Sequence, residues 1–260
     1  MMHAVISLSG GMDSTGLLMR LLADGYSVSC ISFDYGQKHV IELERAMANI
    51  SYLAENDYLV EYRTVDLSST MGLFHSALTT GDLAVPEGHY ESEQMKQTVV
   101  PNRNAIFASI LYGYALSVAI REESEVAIAF GVHSGDHEIY PDCRPEFYEA
   151  VEHAFSVGNW DSELVSFHLP FLDGDKASIL IDAQEAIETL GLDFDTVFAN
   201  TITSYNPDAI GRSSGRSGAD VERILAFHAI GRADPVEYVD GWETALGNAL
   251  TTNEIHEASK

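Results

Sequence analysis

A chain of 260 residues with 46% hydrophobic content is long enough to bury a full core, as one large domain or one domain with a small appendage. Forty acidic side chains against 14 lysines and arginines give a formal charge of −26, a surface that repels phosphate and argues against a DNA- or RNA-binding module. No apolar run approaches the roughly 20 residues needed to span a bilayer, no basic leader precedes the first strand, and Cys30 and Cys143 are too few for a disulfide framework, so a soluble cytoplasmic protein is expected.

Strand and helix signals alternate through the first two-thirds of the chain, the pattern of an open parallel sheet with helices on both faces. The predicted strands are His3–Leu8, Val28–Phe33, Leu59–Val65, Val126–Gly131 and Leu164–Leu169. The first runs into Ser7-Leu8-Ser9-Gly10-Gly11-Met12-Asp13-Ser14-Thr15-Gly16 and then a helical pattern from Leu17. A buried strand, a Gly-rich turn and a helix start form an anion cradle: Gly10 and Gly11 admit close backbone approach, and the free N–H groups of the helix start face the ligand. Ser9, Ser14 and Thr15 add hydroxyls, and Asp13 can hold Mg²⁺ between phosphate oxygens. No Gly-Lys-Ser/Thr follows, so this is not the loop that grips the terminal phosphates in kinases and GTPases.

The second strand ends in Asp34-Tyr35-Gly36-Gln37-Lys38-His39, and Val40, Leu43, Ala46, Met47 and Ile50 form a helical stripe behind it. Ligands of open parallel sheets bind beyond the carboxyl ends of the strands, where this loop sits beside the first. Lys38 and His39 can neutralise a phosphate or carboxylate, and Tyr35 and Gln37 can stack on or hydrogen-bond a heterocycle. Residues 72–100 read as a long loop or flap, a kind of segment that is more often functional than accidental. Val100-Pro101-Asn102-Arg103-Asn104 then opens a helix striped by Ile106, Phe107, Ile110, Leu111, Tyr114 and Val118. An arginine at a helix N-terminus is unfavourable without an anion nearby. A phosphate, a substrate carboxylate or one of the chain's own acids could supply it.

After the fourth strand, residues 131–144 pack His133, Asp136, His137, Glu138, Tyr140, Asp142 and Arg144 into one loop. The spacing of His133 and His137 would suit a metal on a helix, but the neighbouring glycines favour a loop. Asp142 could accept the two parallel N–H donors of a guanine-like base, and Cys143, with no adjoining base, reads as packing. From Asn200 to Arg216 the chain is polar and turn-rich. A helix with Val221, Ile224, Leu225 and His228 on one stripe follows, and the tail after Trp242 is expected to fray.

Ser9-Gly-Gly-Met-Asp-Ser14 resembles the pyrophosphate loop of the N-type ATP pyrophosphatases. With Asp34-Tyr-Gly-Gln-Lys-His39, Val100-Pro-Asn-Arg-Asn104 and Tyr140-Pro-Asp-Cys-Arg-Pro-Glu-Phe147, the chain is similar to the 7-cyano-7-deazaguanine synthase family (QueC). The similarity continues through Lys176, Thr201, Tyr205 and Arg223–Phe227 to Gly231-Arg-Ala-Asp-Pro235. Lys38 stands where the family usually carries arginine, keeping the charge but losing the bidentate fork.

The resemblance implies an adenine nucleotide alpha hydrolase-like domain over residues 1–199 and a small helical segment over 200–260. It implies a homodimeric, ATP- and Mg²⁺-dependent C–N ligase that converts 7-carboxy-7-deazaguanine and ammonia to the nitrile through adenylated intermediates. Leu8, Ser9, Gly10, Gly11, Met12, Asp13, Ser14 and Thr15 would bind ATP. Asp13, Lys38 and Arg103 would be catalytic, and Tyr35, Gln37, His39, Asn104, Tyr140, Asp142 and Arg144 would bind substrate. Ammonia would be free, since nothing resembles a glutaminase domain.

The family's four zinc cysteines are replaced by Ser204, Ser214, Ser217 and Asp220, a set too poor in ionisable soft donors to hold zinc. A structural zinc is worth on the order of 10–16 kcal/mol in finger peptides, against about 0.5–1.5 kcal/mol per hydrogen bond. Packing of Ile224, Leu225, Phe227 and Ile230, or a partner subunit, would have to supply the difference. Because this segment is rewritten, the alternatives are an enzyme that stops at the amide or takes another carboxylate, for example in viral DNA base modification. Further alternatives are another pyrophosphatase-loop enzyme such as a transfer-RNA thiolase, or a nucleotide-binding regulatory relative. Strong acidity with only four lysines fits either a salt-rich cytoplasm, or a virus of such a host, or an ordinary acidic enzyme.

Overall fold

The computed structural model describes residues 2–37, 41–78, 87–89, 93–133, 135, 140–204 and 207–258. Five strands, β1 (His3–Ser7), β2 (Ser27–Asp34), β3 (Glu61–Asp66), β4 (Val126–Ala129) and β5 (Val165–His168), form one sheet in the order β3-β2-β1-β4-β5. Every pairing is parallel, as the strand–helix alternation predicts. The strands fall within three residues of their predicted bounds at either end.

Alternation along β1 splits the core. Ala4 and Ile6 face α1 (Met12–Ala23), α2 (Ile41–Glu55), α6 (Lys176–Leu190) and α7 (Phe194–Ala199), while Val5 faces α4 (Arg103–Glu122) and α5 (Pro145–Gly158). Both faces of the sheet are thus covered, as an all-parallel sheet requires. α4 is 20 residues long and apolar enough by composition to cross a membrane, contrary to the expectation that no such run exists. Its Leu111, Ala115 and Val118 are buried against the sheet. In α2 the predicted stripe is offset, because Ala46, Asn49 and Leu53 are buried while Met47 is half exposed. Asn49 is tolerated there because its amide donates to the Val197 carbonyl at 3.1 Å.

Two short helices also precede the site. α3 (Ser68–Met71) follows β3, and a 3₁₀ stretch spans Glu93–Thr98 within the predicted flap. Residues 79–86 and 90–92 of that flap lie outside the described residues.

The tail after Trp242 does not fray. α8 (Gly218–Ala229) is followed by α9 (Trp242–Glu257), which buries Ala245 and Ala249 with Val221, Ile224 and Tyr238. The pattern was faint because the buried stripe consists of alanines, whose small side chains permit close helix approach with little hydrophobic signature. Phe227 instead joins the core beneath α1 and α6. Between α8 and α9 the buried Arg223 guanidinium donates to both carboxylate oxygens of Asp234, at 2.6 and 2.9 Å, and Tyr238 donates to the same carboxylate at 2.6 Å. Beside the apolar packing expected to support this segment stands a fully desolvated ion pair.

Candidate active site

The carboxyl ends of β1 and β2 open on a cleft of about 250 Å³. Its floor is the loop between β1 and α1. Ser9 and Ser14 hydroxyls lie 3.0 Å apart, Gly11 N–H donates to Ser9 Oγ at 3.2 Å, and Ser14 Oγ donates to the Gly11 carbonyl at 3.3 Å. Gly10 has φ +82°, and a Cβ there would collide with the Glu42 carbonyl, so only glycine lets the loop seat against α2. Ile202 N–H donates to the Gly10 carbonyl at 2.9 Å, which pins the start of the C-terminal segment to the loop.

Ser9, Gly11, Met12 and Asp13 line the cleft. Leu8 is buried in the core, and Thr15 is wholly buried, its hydroxyl without a hydrogen-bond partner among the described residues. The Asp13 carboxylate is divided: Oδ2 lies 3.2 Å from Lys176 Nζ, and Oδ1 is buried with no hydrogen-bond partner among the described residues. Lys176 is the first residue of α6 and is 6% exposed. Its ammonium also lies 2.9 Å from Glu222 Oε2 of α8 and 2.9 Å from His133 Nε2.

The sequence reading treated Lys176 only as a matching position and missed this role. The available signal was one of only four lysines on an acidic chain, directly after an N-capping aspartate: a cation at the positive end of a helix, which is the reasoning applied to Arg103. Asp175 caps α6, accepting from Ser178 N–H at 2.8 Å, and so fixes the turn from which Lys176 projects.

The opposite end of the cleft is aromatic and charged. Phe33 and Phe107 stack with centroids 4.0 Å apart, and Arg103, the first residue of α4, holds its guanidinium 5.9 Å from the centre of the Tyr35 ring. Gln37 is spent on the loop itself: its Oε1 accepts from Tyr35 N–H at 2.8 Å and its Nε2 donates to the Phe33 carbonyl at 3.2 Å. Burial, aided by the neighbouring Glu42 carboxyl, pushes the Tyr35 phenol up to about 12. Glu42, half-buried on α2, also lines this end; burial lifts its carboxyl to about 7 against the pull of Arg103.

Asn104 and Tyr140 are in the wall, Tyr140 hydroxyl 2.7 Å from Thr98 Oγ1 and Asn104 Nδ2 within 3.6 Å of Cys143 Sγ. Asp142 is not in that wall; it sits on the turn Pro141–Cys143, and its carbonyl accepts from Asn104 at 3.4 Å. Arg144 is exposed and precedes α5. Lys38, His39, Asp136, His137, Glu138 and Tyr205 lie outside the described residues.

Beside the cleft, the four positions that replace the zinc cysteines converge on one atom. Asp220 Oδ2 accepts from Ser214 Oγ at 2.7 Å and from Ser204 and Ser217 Oγ at 2.9 Å. The N–H groups of Arg216 and Ser217 complete the set at 3.3 and 3.2 Å. Ser217 and Asp220 also form the capping box that starts α8. Among the described residues, no group of three or more His, Cys, Asp or Glu side chains is arranged to hold a metal ion.

The family model for queuosine biosynthesis protein QueC matches residues 3–231. The 7-cyano-7-deazaguanine synthase 1 of Colwellia psychrerythraea is 42% identical over 234 residues, 90% of this chain and 97% of that protein. The 7-cyano-7-deazaguanine synthase of Methanoregula boonei is 42% identical over 237 residues, 91% of this chain and 99% of that protein. Among solved structures, NMN synthetase from Francisella tularensis aligns over 99% of this chain and 86% of that one, at 12% identity and a TM-score of 0.40. With a match that spans nearly its whole length and relatives at this identity, the chain belongs to the QueC family.

Proposed function

We propose that this protein is an ATP-dependent 7-cyano-7-deazaguanine synthase, joining 7-carboxy-7-deazaguanine to ammonia. One observation carries the reading: a single cleft has a phosphate-shaped loop with Lys176 at one end and an aromatic wall with Arg103 and Glu42 at the other. Relatives carrying the synthase name support the acceptor.

A carboxylate resists ammonia until one of its oxygens becomes a leaving group. The substrate carboxylate attacks the α-phosphorus of ATP, the bond to the β-phosphate bridging oxygen breaks, and pyrophosphate departs. Ammonia then attacks the acyl carbon and expels AMP, leaving the amide and releasing a proton. For the nitrile, the amide oxygen attacks a second ATP, and loss of the two N–H protons with AMP creates the carbon–nitrogen triple bond. In this reading the Gly11 and Ser9 groups receive the pyrophosphate, Lys176 offsets charge growing on the transferring phosphoryl, and Arg103 orients the carboxylate.

Mg²⁺ fits the site, because Asp13 Oδ1 is a buried oxygen beside the phosphate loop with no hydrogen-bond partner among the described residues; bound there it would neutralise phosphate charge. Zinc does not fit the Ser204, Ser214, Ser217 and Asp220 set. The three hydroxyls give their protons to a single carboxylate oxygen, and none is a thiolate or imidazole.

Mass analysis after incubation with magnesium ATP, ammonia and the carboxylate tests the proposal. The nitrile, with two AMP per product, is the expected result. Amide alone would mark an enzyme that stops halfway, the alternative raised by the rewritten C-terminal segment. No AMP and no new product would retire both.

A further inference from the structure

Glu42 stands out among the cleft's carboxylates. Asp13 is committed to Lys176 and the phosphate loop, and Asp142 is outside the wall. Glu42 is at the far end, in the first turn of α2, and its carboxylate has no hydrogen bond to any described residue. Its place is fixed by packing, since its own carbonyl abuts Gly10 and leaves the side chain beside the aromatic wall. A carboxyl in such a position, without a dedicated donor, asks for N–H groups from a ligand.

We propose that Glu42 determines specificity for the heterocycle, accepting two parallel N–H donors from the amidine-like edge of a guanine-type ring. Adenine presents one donor beside an acceptor on the corresponding edge, so the same carboxylate discriminates against it. The ring would stack near Phe33 and Phe107 while Arg103 takes the acid group at the other end of the substrate. The carboxylate reading earlier assigned to Asp142 thereby passes to a residue that does line the cleft. The high proton affinity of Glu42, set by burial, matches a group that is poorly solvated until a ligand supplies donors.

This inference rests on the proposed substrate class, so the test separates the two. Calorimetric titration measures 7-carboxy-7-deazaguanine and its analogue lacking the 2-amino group, against wild type and Glu42→Gln, with a non-hydrolysable ATP analogue present. Wild type should prefer the amino-bearing acid by about 10- to 100-fold, the range for hydrogen bonds to a charged group. Glu42→Gln should bind both acids weakly and alike, and Glu42→Ala should repeat the pattern, with ATP-analogue affinity retained in each. If the variants keep wild-type discrimination, the inference fails and the substrate reading stands. Loss of ATP-analogue affinity with discrimination intact would assign Glu42 to the nucleotide instead and also overturn it. Wild type that binds neither acid defeats the substrate reading and this inference together.

Discussion

Lys176 and Asp13, separated by most of the sheet in sequence, meet at 3.2 Å where α6 and the phosphate loop converge. The ammonium is nearly sealed from water and is shared with Glu222 and His133, so its position is held from several sides. Such preorganised charge is what phosphoryl chemistry rewards, because no reorganisation is needed as negative charge shifts.

Replacing Lys176 by Met should slow adenylation by roughly 10²- to 10³-fold, while ATP affinity changes less. Single-turnover pyrophosphate release and equilibrium nucleotide binding separate the two quantities. Equal losses in both would assign Lys176 to ground-state binding.

Asp220→Ala should cost about 2–4 kcal/mol, since it removes the acceptor that three hydroxyls and two main-chain N–H groups now share. Urea denaturation reads the loss. In wild type, a zinc chelator should leave the midpoint unchanged, and a chelator-dependent drop would contradict the hydrogen-bonded account of this segment.

Arg223→Met leaves Asp234 charged and sealed from solvent, with Tyr238 its one remaining side-chain donor. Breaking such a pair from one side costs about 3–5 kcal/mol. The same denaturation experiment should show it, and Asp234→Asn should be similarly harmful. A loss under about 1 kcal/mol would mean the pair is replaceable by packing.

The Glu42 carboxyl, lifted to about 7 by burial with Arg103 opposing and Tyr35 beside it, makes a pH prediction with a definite sign. The folded state keeps this proton at pH values where the unfolded chain has lost it, so this group's contribution to stability declines between about 4.5 and 7. Affinity for a ligand offering two N–H donors should rise over the upper part of that window and level off above it. Glu42→Gln should flatten that limb of the binding profile.

A charge of −26 on 260 residues should make thermal stability depend on salt. Raising KCl from about 0.1 to 1 M shortens the Debye length from roughly 10 to 3 Å and relieves repulsion among the acids. The Tm should climb across that series. A flat response would favour an ordinary acidic enzyme over one adapted to salt.

Local signals wrote most of the fold. The strand His3–Leu8, the Gly10–Gly11 turn and the apolar stripe of α4 each depend on neighbours in sequence, and each was legible. Contacts that depend on remote partners were not. Met47 was expected inside because it fits a 3.6-residue stripe, but Asn49 holds the buried place through the carbonyl of Val197. α9 was missed because Ala245 and Ala249 earn little on any hydrophobic scale, yet they fit closely against α8. Within the cleft, the loop was readable from its glycines and Lys176 carried a local signal after Asp175, whereas Glu42 acquires meaning only when α2 brings it to the strand ends.

A fold braced by a bound ion carries that ion's concentration in its own stability, through a mass-action contribution that vanishes when the ion is scarce. The cluster around Asp220 is part of the polypeptide, so its members meet at a fixed effective concentration whatever the medium contains. In the metal-free segment proposed above, neither supply of metal nor oxidation of thiols enters the conditions under which Ile202 can seat against Gly10. The phosphate loop is thereby steadied by a device the ribosome delivers complete.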